Sequence, residues 1–228
     1  GVQTCALPIS LIIYMFTFIK SVNYDSKHFK VENSYLNKVE DQINVLRRNY
    51  KNNDIIGILK IKDTDYSWVV TQSTDNDYYL KKDLFKKDYI GGNPFLDFRV
   101  NINSNKLLIY GHNSKYTDMP FKELEKYYDE NYFNTYKYLI FNTENGINNY
   151  EIFSVYIETK DFSYTKLINN KEEWLSHLYY LKNKSLYKSN IELNEKDKIL
   201  ILQTCSTKEE YKKYKKKFLI IVAVRKDN

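Results

Sequence analysis

The sequence predicts a mostly β fold, with eight strands forming a closed or nearly closed barrel and helices added at its margins. Three observations lead there. Eight short runs rich in β-branched and aromatic residues recur between positions 55 and 225. Turn chemistry separates several of them, including Asn-Ser-Asn at 103–105 and Glu-Asn-Gly at 144–146. Helical periodicity is confined to one segment ahead of the strands and two between them.

The first helix is predicted over 33–52, where Leu36, Val39, Ile43, Leu46 and Tyr50 recur at three- and four-residue steps and form one apolar face. Four strands follow: "IIGILKI" at 55–61, "SWVVTQ" at 67–72, "FLDFRVNI" at 95–102 and "KLLIYG" at 106–111. "MPFKELEKYYDENYF" at 119–133 reads as a helix, with Pro120 at a first helical position and Phe121, Leu124 and Tyr128 on one side. Strands five and six are "YKYLIFNT" at 136–143 and "YEIFSVYIET" at 150–159. "NKEEWLSHLYYLKN" at 170–183 predicts a helix, with acidic residues in its first turn and Leu175, Leu178 and Leu181 at helical spacing. Strands "KILILQT" at 198–204 and "FLIIVAVR" at 218–225 complete the set. No internal repeat or low-complexity linker interrupts it.

The totals bound the function. The 228 residues predict one main domain, and 43% apolar residues suffice for a full core without metal or disulfide staples. A net charge of +6 suits an anionic neighbour such as a membrane or cell wall without requiring nucleic acid. Lys, Asn, Ile and Tyr all have AT-rich codons, so their abundance reads as genome bias, and the 23 Tyr are no sign of a stacking surface. Two cysteines, Cys5 and Cys205, make no disulfide framework.

The opening "GVQTCALPIS" lacks the bias of everything after it and resembles a translated sequencing adapter, so residues 1–10 read as an assembly artefact. The apolar run at 11–20 is shorter than the roughly 20 residues that span a bilayer and reads as the remnant of a membrane anchor. Residues 21–32 read as a stalk and 33–228 as the catalytic domain.

Chemistry enters at the strand ends. "LQTCS" leaves Cys205 at the mouth of an apolar strand, and "YGHN" leaves His112 at the end of another. A thiol nucleophile needs a cation or base beside it and donors for a developing oxyanion. His28 falls in the stalk and His177 in a Leu-rich helix, which leaves His112 as the partner. Taken singly, each of Cys205 and His112 also fits a buried structural role. Together, two strands ending in reactive groups at one barrel rim favour catalysis. The chain contains no CxxC, HExxH, GxxxxGK[ST] or GxSxG, which removes the usual zinc, P-loop and hydrolase-elbow chemistries.

At "YGHN" and "LQTCS" the chain resembles a class B sortase. The resemblance extends through "GGNPFLDFRV", "YGHNSKYTDMPFKELEKY" and "KNKSLYKSNIELNEKDKILILQTC", covering roughly 31–226. It implies the eight-stranded sortase barrel with N-terminal helices and a helix between strands six and seven. It also implies a source among low-GC, clostridial-type Gram-positive bacteria and a place on the outer face of the membrane. The implied enzyme is a cysteine transpeptidase that cleaves the C-terminal sorting signal of a surface protein after Thr. It then passes the acyl group to an amine of the lipid-linked peptidoglycan precursor, with no metal or organic cofactor. Rival readings on the same site are hydrolysis and an inactive wall-binding barrel.

The resemblance implies Cys205 as nucleophile and His112 as the group that moves protons both ways. Thr204 and Ser206 flank the thiol, a backbone N–H beside it is an oxyanion donor, and Leu186, Tyr187 and Ser189 of the 184–190 loop contact substrate. The family's arginine falls where this chain has Phe218. Arg225 lies about 23 Å further along an extended strand, so the nearest cations are Lys215, Lys216 and Lys217 of a basic run at 211–217. Lys217 is the candidate replacement, weighed against a site with no assigned cation. Arg99 is an alternative if folding brings it to the rim. The basic run also reads as an attractor for an anionic acceptor or headgroup, or as a plain solvated loop.

Overall fold

A computed structural model describes residues 39–226. The expected artefact with Cys5, the anchor, the stalk with His28 and the start of the first predicted helix lie outside the described residues. Helix α1 spans Val39–Tyr50 and buries Ile43 and Leu46 against Ile55, Ile58 and Val69.

The strands are β1 Ile55–Ile61, β2 Ser67–Thr71, β3 Phe95–Leu96, β4 Lys106–Tyr110, β5 Tyr138–Thr143, β6 Gly146–Glu158, β7 Ile199–Cys205 and β8 Phe218–Lys226. They close into a barrel in the order β1-β2-β3-β4-β7-β8-β6-β5. The third strand is much shorter than predicted. After Leu96 the carboxylate of Asp97 takes the backbone N–H and the guanidinium of Arg99, and this side-chain turn ends the ladder. Strand β6 starts earlier than predicted, because Gly146 adopts φ +110° and closes a tight hairpin pairing Thr143 with Gly146. The single helix expected at 119–133 is two pieces, a 3-10 turn at Lys122–Tyr128 and α2 at Glu130–Thr135. Asp129 separates them, with an extended backbone and a side chain that accepts the N–H of Tyr132 at 2.8 Å.

Alternation along the strands divides the core into two layers. Leu107, Ile109, Leu200, Leu202, Leu219 and Ile221 fill the barrel interior. Leu108, Ile199, Ile201, Ile220 and Val222 lie outside, under α3 (Lys171–Asn183). Both faces of β7 and β8 are therefore buried, and so both read as unbroken apolar runs. Asn170 caps α3 by accepting the N–H groups of Glu172 and Glu173. The helix buries Trp174, His177, Leu178 and Leu181, a face one step round from the predicted one, because the indole donates to the carbonyl of Asp197 at 3.0 Å.

His177 has the packing role its place in the helix implied. Its ring stacks on Tyr180, and its Nε2 lies 3.5 Å from the buried ammonium of Lys106. Burial, then the charges of Lys106 and Lys166, lower its pKa from 6.5 to about 4, against an opposing pull from Asp161. The unfolded chain therefore binds this proton more tightly than the folded one, and the stability present above pH 6.5 falls as the pH drops toward 4. The expected loss between pH 7 and pH 4.5 is about 2 kcal/mol. Urea unfolding at pH 7 and pH 4.5 measures it, and His177→Gln should flatten the difference. An equally steep acid decline in that variant would assign it elsewhere.

Candidate active site

The site is built on the parallel pairing of β4 with β7, whose register matches Leu108 with Ile201 and Tyr110 with Gln203. Leu108 and Ile201 belong to the outer layer, so Tyr110 and Gln203 also face outward, and one further step on each chain brings His112 and Cys205 to the same face. The pairing continues past the strand end, because the Gly111 N–H donates to the carbonyl of Gln203 at 3.1 Å. Neighbouring strands run about 4.8 Å apart, so His112 and Cys205 stand on adjacent chain segments at one lip of the barrel.

The chain around the thiol is held on every side. Thr204 Oγ1 donates to the Gly111 carbonyl at 2.8 Å, and Asn113 Nδ2 donates to the carbonyl of Cys205 at 2.9 Å. The hydroxyl of Tyr128 donates to Ser206 Oγ at 2.8 Å. Glu125 receives both the N–H and the hydroxyl of Thr207, at 2.6 and 2.5 Å. Cys205 itself is 7% exposed, at the edge of the outer core beside its cross-strand partner Phe218.

His112 is half-buried, and its Nε2–H donates to the carbonyl of Leu80 at 2.9 Å. In the neutral ring the lone pair is then on Nδ1. Burial lowers its pKa from 6.5, against the opposing effect of the Leu80 carbonyl, so the ring is neutral at neutral pH and ready to accept a proton. Two glycines make this loop possible. Gly92 holds φ +57°, and a Cβ there would lie 2.8 Å from the Leu80 carbonyl oxygen. At Gly111 a Cβ would meet the ring of Phe121 at 2.4 Å.

Beside the pair runs a groove of about 220 Å³, with Tyr110 and Gln203 in its floor and Leu80, Phe98, Phe162 and Tyr164 among its walls. Arg99 lines it too, locked to the buried Asp97 at 2.6 Å. Burial works to raise the Asp97 carboxyl, but donors from Arg99 and Tyr110 outweigh it and hold it below its usual range. The Tyr164 hydroxyl donates to Gln203 Oε1 at 2.6 Å. Lys106, lowered to about 8 mainly by burial, donates to the carbonyls of Tyr164 and Lys166 and so pins this wall.

A sortase-domain family profile matches residues 59–226. The sortase B of Listeria monocytogenes is 36% identical over 184 residues, covering 77% of this chain and 72% of the relative. The chain belongs to the class B sortases. The crystal structure of Clostridium perfringens sortase B superposes with a TM-score of 0.72 at 32% identity, covering 81% of this chain and 99% of that one. A substrate complex of Staphylococcus aureus sortase B gives 0.73 at 27%, covering 84% and 87%. Sortases of this class are cysteine transpeptidases that anchor proteins to the cell wall, and the eight-stranded barrel is theirs.

In this sortase the other predicted site residues take different places. The side chains of Thr204 and Ser206 are buried and bonded to the scaffold, so they position the nucleophile and do not line the groove. Tyr187 packs its ring 5.2 Å from that of Phe133 and donates to the carbonyl of Tyr128. Ser189 Oγ accepts the N–H of Ile191. Leu186 is half exposed, its N–H tied to Val155 on the open edge of β6. None of these three lines the groove, whose wall on that side is the segment 162–165. Lys217 meets the site through its carbonyl, which accepts the Ser206 N–H at 2.9 Å. That bond and the one from Thr207 to Glu125 use up the backbone donors that follow Cys205, a correction to the expected oxyanion arrangement. Arg225 pairs with Tyr150 at the opposite end of β8. Sequence reasoning missed Asn113, Glu125 and Tyr128. Only Asn113 carried a signal, its place directly after His112.

Proposed function

We propose that this sortase cleaves a sorting signal after Thr through Cys205 and His112 and transfers the protein to an amine of a lipid-linked peptidoglycan precursor. The single observation that supports this is the β4–β7 register, which carries the chain at His112 and at Cys205 to one lip beside the groove lined by Tyr110 and Gln203. The Cys205 thiol gives its proton to His112 Nδ1 as sulfur attacks the scissile carbonyl carbon. The tetrahedral oxyanion collapses, the C–N bond breaks, and the imidazolium returns its proton to the leaving amine. The thioester remains on Cys205. His112 then takes a proton from the incoming amine as its nitrogen attacks the thioester carbon, and the thiol is restored when the new amide forms.

The signal peptide lies along the groove floored by Tyr110 and Gln203. The enzyme works on the outer face of the cell membrane, held there by the segment containing residues 11–20. Neither step calls on a metal or organic cofactor.

Product analysis tests this reading. A panel of fluorogenic candidate pentapeptides, incubated with an amine-bearing peptide and analysed by mass spectrometry, should give the amine adduct ending in Thr. Free acid as the only product would make the enzyme a hydrolase. Cleavage that persists in Cys205→Ala would remove the proposed nucleophile.

A further inference from the structure

The backbone N–H groups of Ser206 and Thr207 are committed to the Lys217 carbonyl and to Glu125, yet a thiolate and the oxyanion it creates both need positive potential close by. A side-chain cation on the Cys205 face can supply it; the guanidinium of Arg99, though it lines the groove, is neutralised by Asp97. Phe218 is the cross-strand partner of Cys205 and shares its outer layer. The ring of Phe162, in the groove wall, sits edge-on to Phe218 with centroids 5.9 Å apart. Over Phe162, 5.6 Å from its centroid, lies the ammonium of Lys216. Lys217 pairs instead with Ser206, whose pleat parity is opposite to that of Cys205.

We propose that Lys216, not Lys217, is the cation of this catalytic site, held over Phe162 beside the thiol and the groove. The assignment rests on Cys205 being the nucleophile. Lys216 is half-buried, and the aromatic face beneath it favours the charged ammonium at that spot. Its charge draws the thiolate form and the developing oxyanion as a single point donor, without the two-pronged geometry of a guanidinium. The segment carrying it is fixed directly after Lys216 by the Ser206–Lys217 bond and the start of β8.

The decisive measurement pairs turnover with thiol chemistry on the full chain. Lys216→Gln is expected to lower kcat by about 10- to 100-fold with little change in KM. It should also reduce the alkylation rate of Cys205 by iodoacetate relative to iodoacetamide by about threefold or more, read by mass spectrometry on the Cys205 peptide. The anionic reagent feels a nearby cation and the neutral one does not, so a merely structural role leaves that ratio unmoved. Lys216→Arg should restore both readouts. Lys196→Gln, an equal charge change on the exposed loop before β7, should alter neither. An unchanged ratio and kcat in Lys216→Gln, or equal losses in Lys217→Gln, would overturn the assignment. The alkylation ratio needs no transfer reaction, so it reports on Lys216 even if the proposed transfer fails.

Discussion

Cys205→Ala is expected to abolish cleavage and transfer together, a fall of at least about a thousandfold to the uncatalysed background. No other described side chain at the groove end offers a nucleophile in place of the sulfur: Thr204 and Ser206 have their hydroxyls bonded to Gly111 and Tyr128. The substitution removes one small, mostly covered atom from the edge of the outer layer, and the clamp of Asn113, Tyr128 and Glu125 grips the neighbouring main chain and side chains of 205–207. Stability should therefore change by less than about 2 kcal/mol. Steady-state cleavage with a fluorogenic pentapeptide, together with urea unfolding, checks both halves. Activity surviving in a folded Cys205→Ala variant would transfer the chemistry to another group.

Replacing His112 carries the second large effect. His112→Gln keeps an amide able to donate to the Leu80 carbonyl but loses the titrating nitrogen, and kcat should drop about 10²- to 10⁴-fold. The pH profile carries the finer test. Burial disfavours the imidazolium, so the neutral, proton-accepting ring persists below the usual histidine range. The acid limb of kcat/KM should therefore bend below pH 6.5: activity is present above the lowered pKa and is lost as the pH falls through it. The variant should lose that limb along with its rate. A limb centred above pH 6.5 would mean the ring is solvated or paired with an anion in the working enzyme.

Residue patterns made much of this readable in advance. Short runs rich in β-branched and aromatic residues, turn chemistry between several of them and helical periodicity at 170–183 predicted eight strands and α3, and all of these exist. "YGHN" and "LQTCS" gave the reactive pair because both stand where an apolar pattern stops. Failures came where a side chain bonds to backbone. Asp97 turned a predicted eight-residue strand into two residues and a turn, and Asp129 split a predicted helix. Propensity reads neighbours along the chain, while these carboxylates act through geometry that appears only once the backbone bends.

The sequence by itself determined the barrel through its strand runs and turns and the family through the resemblance of its motifs. It also pointed to the thiol and imidazole as candidates, because strand-end chemistry is a local property. Only the tertiary structure decided how the site is served. The ladder bond from Ser206 to Lys217 and the carboxylate of Glu125 reach across 11 and 82 positions of sequence to spend the expected oxyanion donors. Phe162, brought to Phe218 from 56 positions away, selects Lys216 among three adjacent lysines of which the sequence favoured Lys217. The reason is that these lysines lie in the bend before β8, where which side chain is held at the site depends on contacts with a segment distant along the chain.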